Sequence, residues 1–169
     1  MAVDSPTQPA RGGDTSGGAP ANAGVVAPPP LIYALPLIAG LLFQHWHPVG
    51  FVPSALAAPL GITFLVLGLI GGPAVFAFRR AGTSPEPWRA TTALVTAGPY
   101  RFTRNPMYLG LTLIYVGVAV WANALWPIVL LPAVLVVMHY GVIKREERYL
   151  ERIFGDEYRE YRRRVRRWL

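Results

Sequence analysis

The segment GPYRFTRNPMYLG, residues 98–110, joins arginines, tyrosines and an asparagine to the start of a long apolar run. Asn105 followed by Pro106 is a typical helix start, because asparagine caps a first turn and proline fits the first helical position. The amino end of such a helix combines free amide groups with the positive end of the helix dipole, and both attract anions. The segment therefore predicts a helix start that can hold an anion, unless it serves only as a cap.

Two adjacent acids, Glu146 and Glu147, follow the next apolar run and are expected at the same depth as that helix start. Carboxylates at a membrane boundary are costly unless a cation satisfies them. A helix amino end and an acidic pair at one level would hold a zwitterion, with its carboxylate at the helix end and its ammonium at the acids.

Simpler interpretations of both features stay open. The acids can pair with the neighbouring basic residues Lys144, Arg145 and Arg148. Within 98–110, the arginines can act as topology signals and the tyrosines as interfacial anchors: Tyr100, Arg101, Arg104 and Tyr108.

The elements that carry these residues are predicted to be membrane helices. Of the 169 residues, 53% are hydrophobic and 15% are charged, against about 25% charged in a typical soluble domain. No Asp, Glu, Lys or Arg occurs from Leu31 to Phe78 or from Asn105 to Ile143. Each block exceeds the roughly 20 apolar residues that one crossing needs, so the chain is predicted to be an all-α integral membrane protein.

Each apolar block is long enough to cross twice and contains an internal turn. Pro and Gly in the segment 47–54 divide the first block, and the segment ANALWP at 122–127 divides the second. About four transmembrane helices follow from this division. After Lys144, apolar residues at helical spacing among arginines predict amphipathic C-terminal helices on the cytoplasmic face, with a stop and restart at Gly155 and Asp156.

The basic residues set the predicted orientation. The turns 45–54 and 121–125 contain no Lys or Arg, whereas the loop 79–105 and the segment after Lys144 are rich in arginine. Because basic residues concentrate on the cytoplasmic side, both termini and this loop are predicted to be cytoplasmic. The composition favours a bacterial cytoplasmic membrane.

Three regions are predicted along the chain. Residues 1–30 are rich in Gly, Pro, Ala and Ser, which predicts a disordered tail. Residues 31–79 form the first transmembrane hairpin, and 80–169 carry the loop, the second hairpin and the C-terminal helices. The chain has no cysteine, and His45 and His47 alone make a poor metal site, so no metal is expected. The net charge of +7 fits lipid headgroups as partners rather than nucleic acid.

The stretch LVTAGPYRFTRNPMYLG at 94–110, followed by REERYLERIFGDEYREYRRRV at 145–165, resembles the isoprenylcysteine carboxyl methyltransferase and phospholipid methyltransferase superfamily. The upstream AGTSPEPWRATTALV at 81–95 is similar to bacterial members. The resemblance implies that 80–169 is a methyltransferase core, which would use S-adenosylmethionine to methylate a lipophilic acceptor at the cytoplasmic membrane face.

The resemblance also implies cofactor contacts at named positions. The family's stretch before the G-x-Y element matches residues that would surround the adenosine through their backbone: Thr92, Ala93, Leu94 and Val95. The later family elements match Tyr100, Arg104, Asn105, Pro106, Met107, Tyr108, Glu146 and Glu147. Glu146 is expected to meet the ammonium of the cofactor.

Two positions depart from the family's pattern. Asn105 stands where many members have histidine, and it still offers a donor and an acceptor. Val142 stands where the eukaryotic prenylcysteine enzymes have an arginine implicated in binding the substrate carboxylate. The acceptor is therefore left open as a lipophilic acid, amine, thiol or phenol.

The implied chemistry is an in-line displacement, for which the protein aligns the acceptor and excludes water. A carboxylate acceptor needs no general base, whereas an amine or phenol does. The base is left unassigned among Tyr108, Tyr140 and Glu147. Two rival functions remain: a non-catalytic four-helix membrane scaffold, and an NADPH-dependent enzyme similar to sterol reductases.

Overall fold

The computed structural model describes residues 22–168, and every regular element in this range is helical. The six α-helices are α1 (Pro29–Trp46), α2 (Ser54–Gly68), α3 (Gly71–Arg80), α4 (Pro106–Trp121), α5 (Leu125–Val137) and α6 (Lys144–Arg164). A 3-10 turn covers Gly98–Arg101, and a π-helical segment, Met138–Ile143, joins α5 to α6. The predicted all-α class is confirmed.

Two helical runs are long and apolar enough to cross a membrane. One runs from Ser54 to Arg80 and the other from Leu125 to Arg164, while Pro106–Trp121 is apolar but shorter. The apolar part of the second run ends at Ile143, because Lys144 begins a charged segment. Large apolar side chains point outward on these surfaces, for example Val66 at 60% and Val136 at 57% exposure. Together with the length and composition of the two runs, these surfaces indicate membrane association.

The helices pair differently from their order along the chain. The main packing partners are α2 with α4 and α1 with α5, whereas the consecutive helices α1 and α2 barely touch. Glycine makes the α2–α4 contact close: a Cβ on Gly61 would lie 2.6 Å from the Trp121 Cβ, and one on Gly117 would lie 2.9 Å from the Leu65 amide nitrogen. Small residues at such contacts let membrane helices approach closely. The two predicted hairpins thus interlock.

One asparagine joins the turn between α1 and α2 to the turn between α4 and α5. Asn123 has a positive φ of 46°, a conformation that asparagine tolerates better than most residues. Its side-chain oxygen accepts hydrogen bonds from the Phe51 and Val52 amides, both at 3.0 Å. Its amide nitrogen donates to the Val52 carbonyl at 2.9 Å. This single side chain fixes the 47–53 turn to the start of α5.

The other end of the molecule holds the loop and the charged helix. The loop between α3 and α4 contains the Gly98–Arg101 turn, and α6 is kinked at Gly155, where φ is 51°. The predicted stop and restart at this glycine is therefore a kink. Of the predicted tail 1–30, residues 1–21 lie outside the described range. Val26 donates its backbone N–H to the Gly141 carbonyl at 3.2 Å, and α1 begins at Pro29.

Candidate functional site

A cleft opens between the loop, the amino end of α4 and helix α6. The space between these walls, including the part open to solvent, is about 770 Å³. Loop residues, α4 residues and α6 residues all contribute to its walls, among them Ala93, Leu94, Val95, Tyr100, Arg104, Asn105, Met107, Tyr108, Glu146, Glu147, Tyr149, Tyr158 and Tyr161. The predicted cofactor positions thus converge on one cleft, except for Thr92 and Pro106.

Tyr108 and Glu146 form a direct polar contact in this cleft. The Tyr108 hydroxyl donates to the Glu146 Oε1 at 2.5 Å, across the junction of α4 and α6. Burial raises the pKa of the Glu146 carboxyl to about 7, the charge of Glu147 acts in the same direction, and the hydrogen bond from Tyr108 opposes both. A carboxylate in this position is poised to take a cationic partner.

The neighbouring acid, Glu147, is already neutralised. The Arg167 guanidinium donates to both of its oxygens, Nε to Oε1 at 2.9 Å and the NH2 nitrogen to Oε2 at 2.6 Å. The Arg104 NH1 nitrogen lies 3.0 Å from the same Oε1. Bidentate arginine pairs of this kind are the strong, geometrically specific ones. The two adjacent acids therefore have different environments: within residues 22–168, Glu147 is paired with two arginines and Glu146 with no cation.

The alternative pairing of these acids with neighbouring basic residues is not among the described contacts, and Glu147 binds distant arginines instead. Arg148 donates to the Lys144 carbonyl at 3.2 Å, and Arg145 donates to the Gly24 carbonyl at 2.7 Å. In these contacts both guanidinium groups bind backbone carbonyls rather than Glu146 or Glu147. The basic partners of Glu147 come from the loop and from the last residues of the chain, which no local spacing reveals.

The C-terminal segment fastens the amino end of α4. The Arg167 carbonyl accepts hydrogen bonds from the Thr103 hydroxyl and the Asn105 side-chain amide, both at 3.0 Å. The Arg104 amide donates to the Arg166 carbonyl at 2.9 Å. Asn105 occupies the predicted cap position before Pro106, but its side chain makes no capping hydrogen bond. The side-chain cap predicted from the sequence is therefore wrong, because this asparagine binds the C-terminal segment instead.

Two buried donor atoms at the cleft have no hydrogen-bond partner within residues 22–168. They are the Tyr100 hydroxyl and the Arg104 Nε. Burial raises the pKa of the Tyr100 phenol above its ordinary value, and the nearby Glu146 adds to this effect, so the phenol remains protonated and able to donate. Unpaired buried donors are costly and uncommon. Their position on the cleft indicates a polar ligand with acceptor atoms.

Three tyrosines of α6 line the wall of the cleft that this helix forms. Tyr149, Tyr158 and Tyr161 are all buried. The Tyr161 hydroxyl donates to the Tyr100 carbonyl at 2.8 Å, and the Thr91 amide donates to the Tyr149 hydroxyl at 3.1 Å. The apolar stripes of α6 thus face the loop.

Some predicted site residues lie elsewhere. The Thr92 amide donates to the Thr83 hydroxyl at 2.9 Å, and Thr92 does not line the cleft. Pro106 is buried at the start of α4. Tyr140 is 60% exposed and its ring packs under the Lys144 ammonium, on a different face from the cleft. Tyr140 is therefore badly placed to act as a base there, and Glu147 is occupied by its two arginines.

Sequence reasoning missed Arg167, Thr103 and Tyr149. Arg167 lies in a run of arginines that looks like a topology signal, and nothing in its spacing separates it from its neighbours. It also missed Glu86, which lines the cleft from the loop. The one available signal was the proline on either side of Glu86, which marks a constrained backbone.

An apolar groove adjoins the cleft. It encloses about 950 Å³, part of it open to the surface, between the start of α1, the α2–α3 break and α4. The loop residues Pro85, Glu86 and Pro87 and the α4 residues Met107 and Tyr108 line both spaces. These five residues form the partition between the cleft and the groove.

The comparison with known families agrees with this arrangement. The family model described as phospholipid methyltransferase matches residues 57–157. The chain belongs to the phospholipid methyltransferase family. The match takes in α2 to α5, the loop and the first half of α6, and therefore most of the cleft. The superfamily suggested by the sequence motifs is thereby confirmed.

Several curated proteins are similar to the chain. Methanethiol S-methyltransferase 1 of Bradyrhizobium diazoefficiens is 31% identical over 145 residues, 74% of this chain and 48% of its own length. The cobalt-zinc-cadmium resistance protein CzcN of Cupriavidus metallidurans is 31% identical over 129 residues, 76% of this chain and 56% of its own. The chain thus spans about half of each of these relatives.

A shorter match covers a whole relative. An uncharacterized protein of Haemophilus influenzae is 47% identical over 64 residues, 37% of this chain and 100% of the relative. No solved structure matches the chain.

Proposed function

We propose that this protein transfers a methyl group from S-adenosylmethionine to a lipophilic acceptor at the cytoplasmic face of a membrane. The observation that carries the proposal is the cleft, where the carboxylate of Glu146 and the unpaired donors of Tyr100 and Arg104 face one space. Family membership supports methyl transfer as the reaction. The methyltransferase activity named for the Bradyrhizobium relative is in keeping with it.

The charges of the cleft fit the amino acid part of such a cofactor. Glu146 would hold the ammonium, because Glu147 is already bound by Arg104 and Arg167. The unpaired donors, the Arg104 Nε and the Tyr100 hydroxyl, would bind carboxylate or ribose oxygens. The apolar part of the loop at Ala93–Val95 would border the adenine. When bound, the sulfonium supplies an activated methyl group, so no metal is required.

The chain's own residues would position the reactants and keep water out. Helix α6 covers the cleft with Tyr149, Tyr158 and Tyr161, which exclude bulk solvent. The Arg167–Glu147 contact fixes α6 relative to the loop. Alignment and dehydration of this kind account for much of the rate of a displacement reaction.

The proposal includes four membrane crossings with both termini cytoplasmic. Four helical runs support it: α1; α2 together with α3; α4; and α5 together with the π-helical segment. Arginines of the loop and of α6 lie at the end that holds the cleft, and the turns at the other end contain no Lys or Arg. Soluble cofactor would then reach the cleft from the cytoplasm.

Calorimetric binding of S-adenosylhomocysteine to the purified protein in detergent tests the proposal. Wild type should bind in the micromolar range, and Glu146→Gln should weaken binding at least tenfold. Glu157→Gln is the matched control, because Glu157 is an exposed acid of the same helix. Absence of binding to well-folded wild type would overturn the proposal in favour of a scaffold. Thermal stabilisation by NADPH instead would favour the reductase alternative.

A further inference from the structure

A short segment that precedes α1 forms part of the cleft. We call this segment, residues 22–28, the strap. It lies within the tail predicted at 1–30 and outside the family match at 57–157. Ala23 of the strap lines the cleft together with Pro87 of the loop and Tyr149 of α6. The strap is therefore a part of the cleft wall to which neither the resemblance nor the family match extends.

The strap connects the two walls between which the cleft opens. The Ala23 amide donates to the Pro87 carbonyl of the loop at 3.3 Å. On the other side, the Arg145 NH1 nitrogen of α6 donates to the Gly24 carbonyl at 2.7 Å. The strap thus lies across the gap between the loop and α6, and a ligand that passes through this gap must displace it.

The strap is firmly held only where it joins α1. Pro29, the first residue of α1, is buried, whereas Gly24 is exposed and Val26 is 53% exposed. The contacts of the strap with the loop and with α6 given above are single hydrogen bonds at the surface. Segments with few buried contacts open locally at a small free energy. The strap can therefore detach from the loop and α6 while α1 stays in place.

We propose that the strap closes the cleft over a bound ligand and must detach before the ligand enters or leaves. The inference rests on the proposed function for the identity of the ligand, S-adenosylmethionine or its product. In the closed position the strap adds Ala23 to the wall and excludes water from the gap. In the open position the gap between the loop and α6 is free, so the strap sets the rate of ligand exchange.

Gly141 of the π-helical segment provides a way to lock the strap. A Cβ built on Gly141 would lie 3.6 Å from the Val26 Cβ, a separation that a disulfide spans. Because the chain contains no cysteine, Val26→Cys combined with Gly141→Cys gives one defined disulfide. We expect it to form in mild oxidant. Failure of the disulfide to form in the folded protein would show that the strap does not rest on this segment and would overturn the inference.

Release of radiolabelled S-adenosylhomocysteine in detergent measures the effect of this lock. The ligand is bound first, the disulfide is then formed, and release is followed after addition of excess unlabelled ligand. The oxidised double variant should release the ligand at least tenfold more slowly than the same protein after reduction. Val26→Cys and Gly141→Cys alone, treated with the same oxidant, should each keep one rate before and after reduction. Equal release from the oxidised and reduced double variant would overturn the inference.

Arg145→Ala tests the strap without a disulfide. Loss of the guanidinium that binds the Gly24 carbonyl leaves the strap detached for more of the time, so association and release of S-adenosylhomocysteine should both become at least threefold faster. Arg148→Ala is the matched control, because Arg148 is an exposed arginine of the same helix whose guanidinium binds the Lys144 carbonyl. It removes the same charge and should leave both rates unchanged. Unchanged rates in Arg145→Ala would contradict the inference.

Labelling of a single cysteine separates this inference from the proposed function. Val25 of the strap is half-buried against the apolar core, so the thiol of Val25→Cys should react with a water-soluble maleimide mainly when the strap detaches. Without any ligand, addition of Arg145→Ala should raise the labelling rate at least threefold. Saturating S-adenosylhomocysteine should lower the rate in Val25→Cys. Phe51→Cys, in the turn between α1 and α2, is the control and should keep one rate throughout.

The two proposals then fail in different ways. Absence of S-adenosylhomocysteine binding to wild type would remove the proposed function, while the ligand-free comparison with Arg145→Ala would still test the strap. Equal labelling with and without Arg145→Ala would overturn the inference about the strap and leave methyl transfer standing.

Discussion

Arg167, two residues before the end of the chain, holds both oxygens of Glu147 on the first turn of α6, with contacts of 2.9 and 2.6 Å. The same residue accepts hydrogen bonds from Thr103 and Asn105 through its carbonyl. One residue thus ties the C-terminal segment to both helices that border the cleft. This places Arg167 as a positioning residue for Glu147 and Arg104.

Replacement of Arg167 tests this relationship. Breaking a buried ion pair costs about 3–5 kcal/mol. Because Arg167 is partly exposed and Arg104 remains on Glu147, we expect about 2–3 kcal/mol for Arg167→Ala, measured as a lower melting temperature in detergent. Arg167→Lys keeps the charge without the forked geometry and should recover part of the loss. Arg166→Ala, an exposed neighbour, is the control, and an equal loss there would remove the special role of Arg167.

Tyr100→Phe separates ligand binding from folding. The Tyr100 hydroxyl has no hydrogen-bond partner among residues 22–168, so its removal relieves an unsatisfied buried group and should leave the melting temperature unchanged or higher. If the hydroxyl donates to the cofactor, S-adenosylhomocysteine should bind about 3–10-fold more weakly, as expected for one neutral hydrogen bond. Tyr161→Phe, which removes a donor to the Tyr100 carbonyl, should instead lower the melting temperature. Unchanged affinity in Tyr100→Phe would place the hydroxyl outside the cofactor contacts.

The pH dependence of binding reports on Glu146. Burial raises the pKa of this carboxyl to about 7 in the ligand-free protein, above the ordinary value, so its charged form costs stability as the pH rises from about 4.5 to 7. A bound ammonium favours the carboxylate, so binding below pH 7 must release this proton. Affinity for S-adenosylhomocysteine should therefore fall by up to about tenfold per pH unit below 7. Calorimetry in buffers of different ionisation enthalpy measures the released proton.

Glu146→Gln supplies the control for this pH dependence. Its binding, although weak, should change little between pH 7.5 and 6, and it should release no proton from this site. A wild-type affinity that is constant over the same range would show that Glu146 does not face the cofactor's ammonium.

The sequence predicted those features that local patterns determine. The uncharged blocks predicted the helices, and Pro106 predicted the start of α4, because hydropathy and the fit of proline at the first helical position act over a few residues. The convergence of Tyr100, Tyr108 and Glu146 came from a resemblance, since no spacing joins positions on different helices. Neither the pairing of α2 with α4 nor the arginine partners of Glu147 could be predicted from the sequence. Both depend on tertiary packing between residues far apart in the chain. The sequence also does not distinguish Arg167 from the other arginines of its run.

The kink at Gly155 should control how well α6 covers the cleft. Gly155 has φ 51° and ψ −119°, a conformation that alanine adopts only at a cost. Gly155→Ala should therefore straighten α6, draw Tyr158 and Tyr161 away from the loop, and weaken binding of S-adenosylhomocysteine. Gly72→Ala is the matched control, because Gly72 lies within a helix with space for a Cβ. Limited trypsin digestion provides the structural readout: the ligand should slow cleavage within 156–164 in wild type and not in Gly155→Ala. Equal protection in both proteins would show that the kink does not control coverage of the cleft.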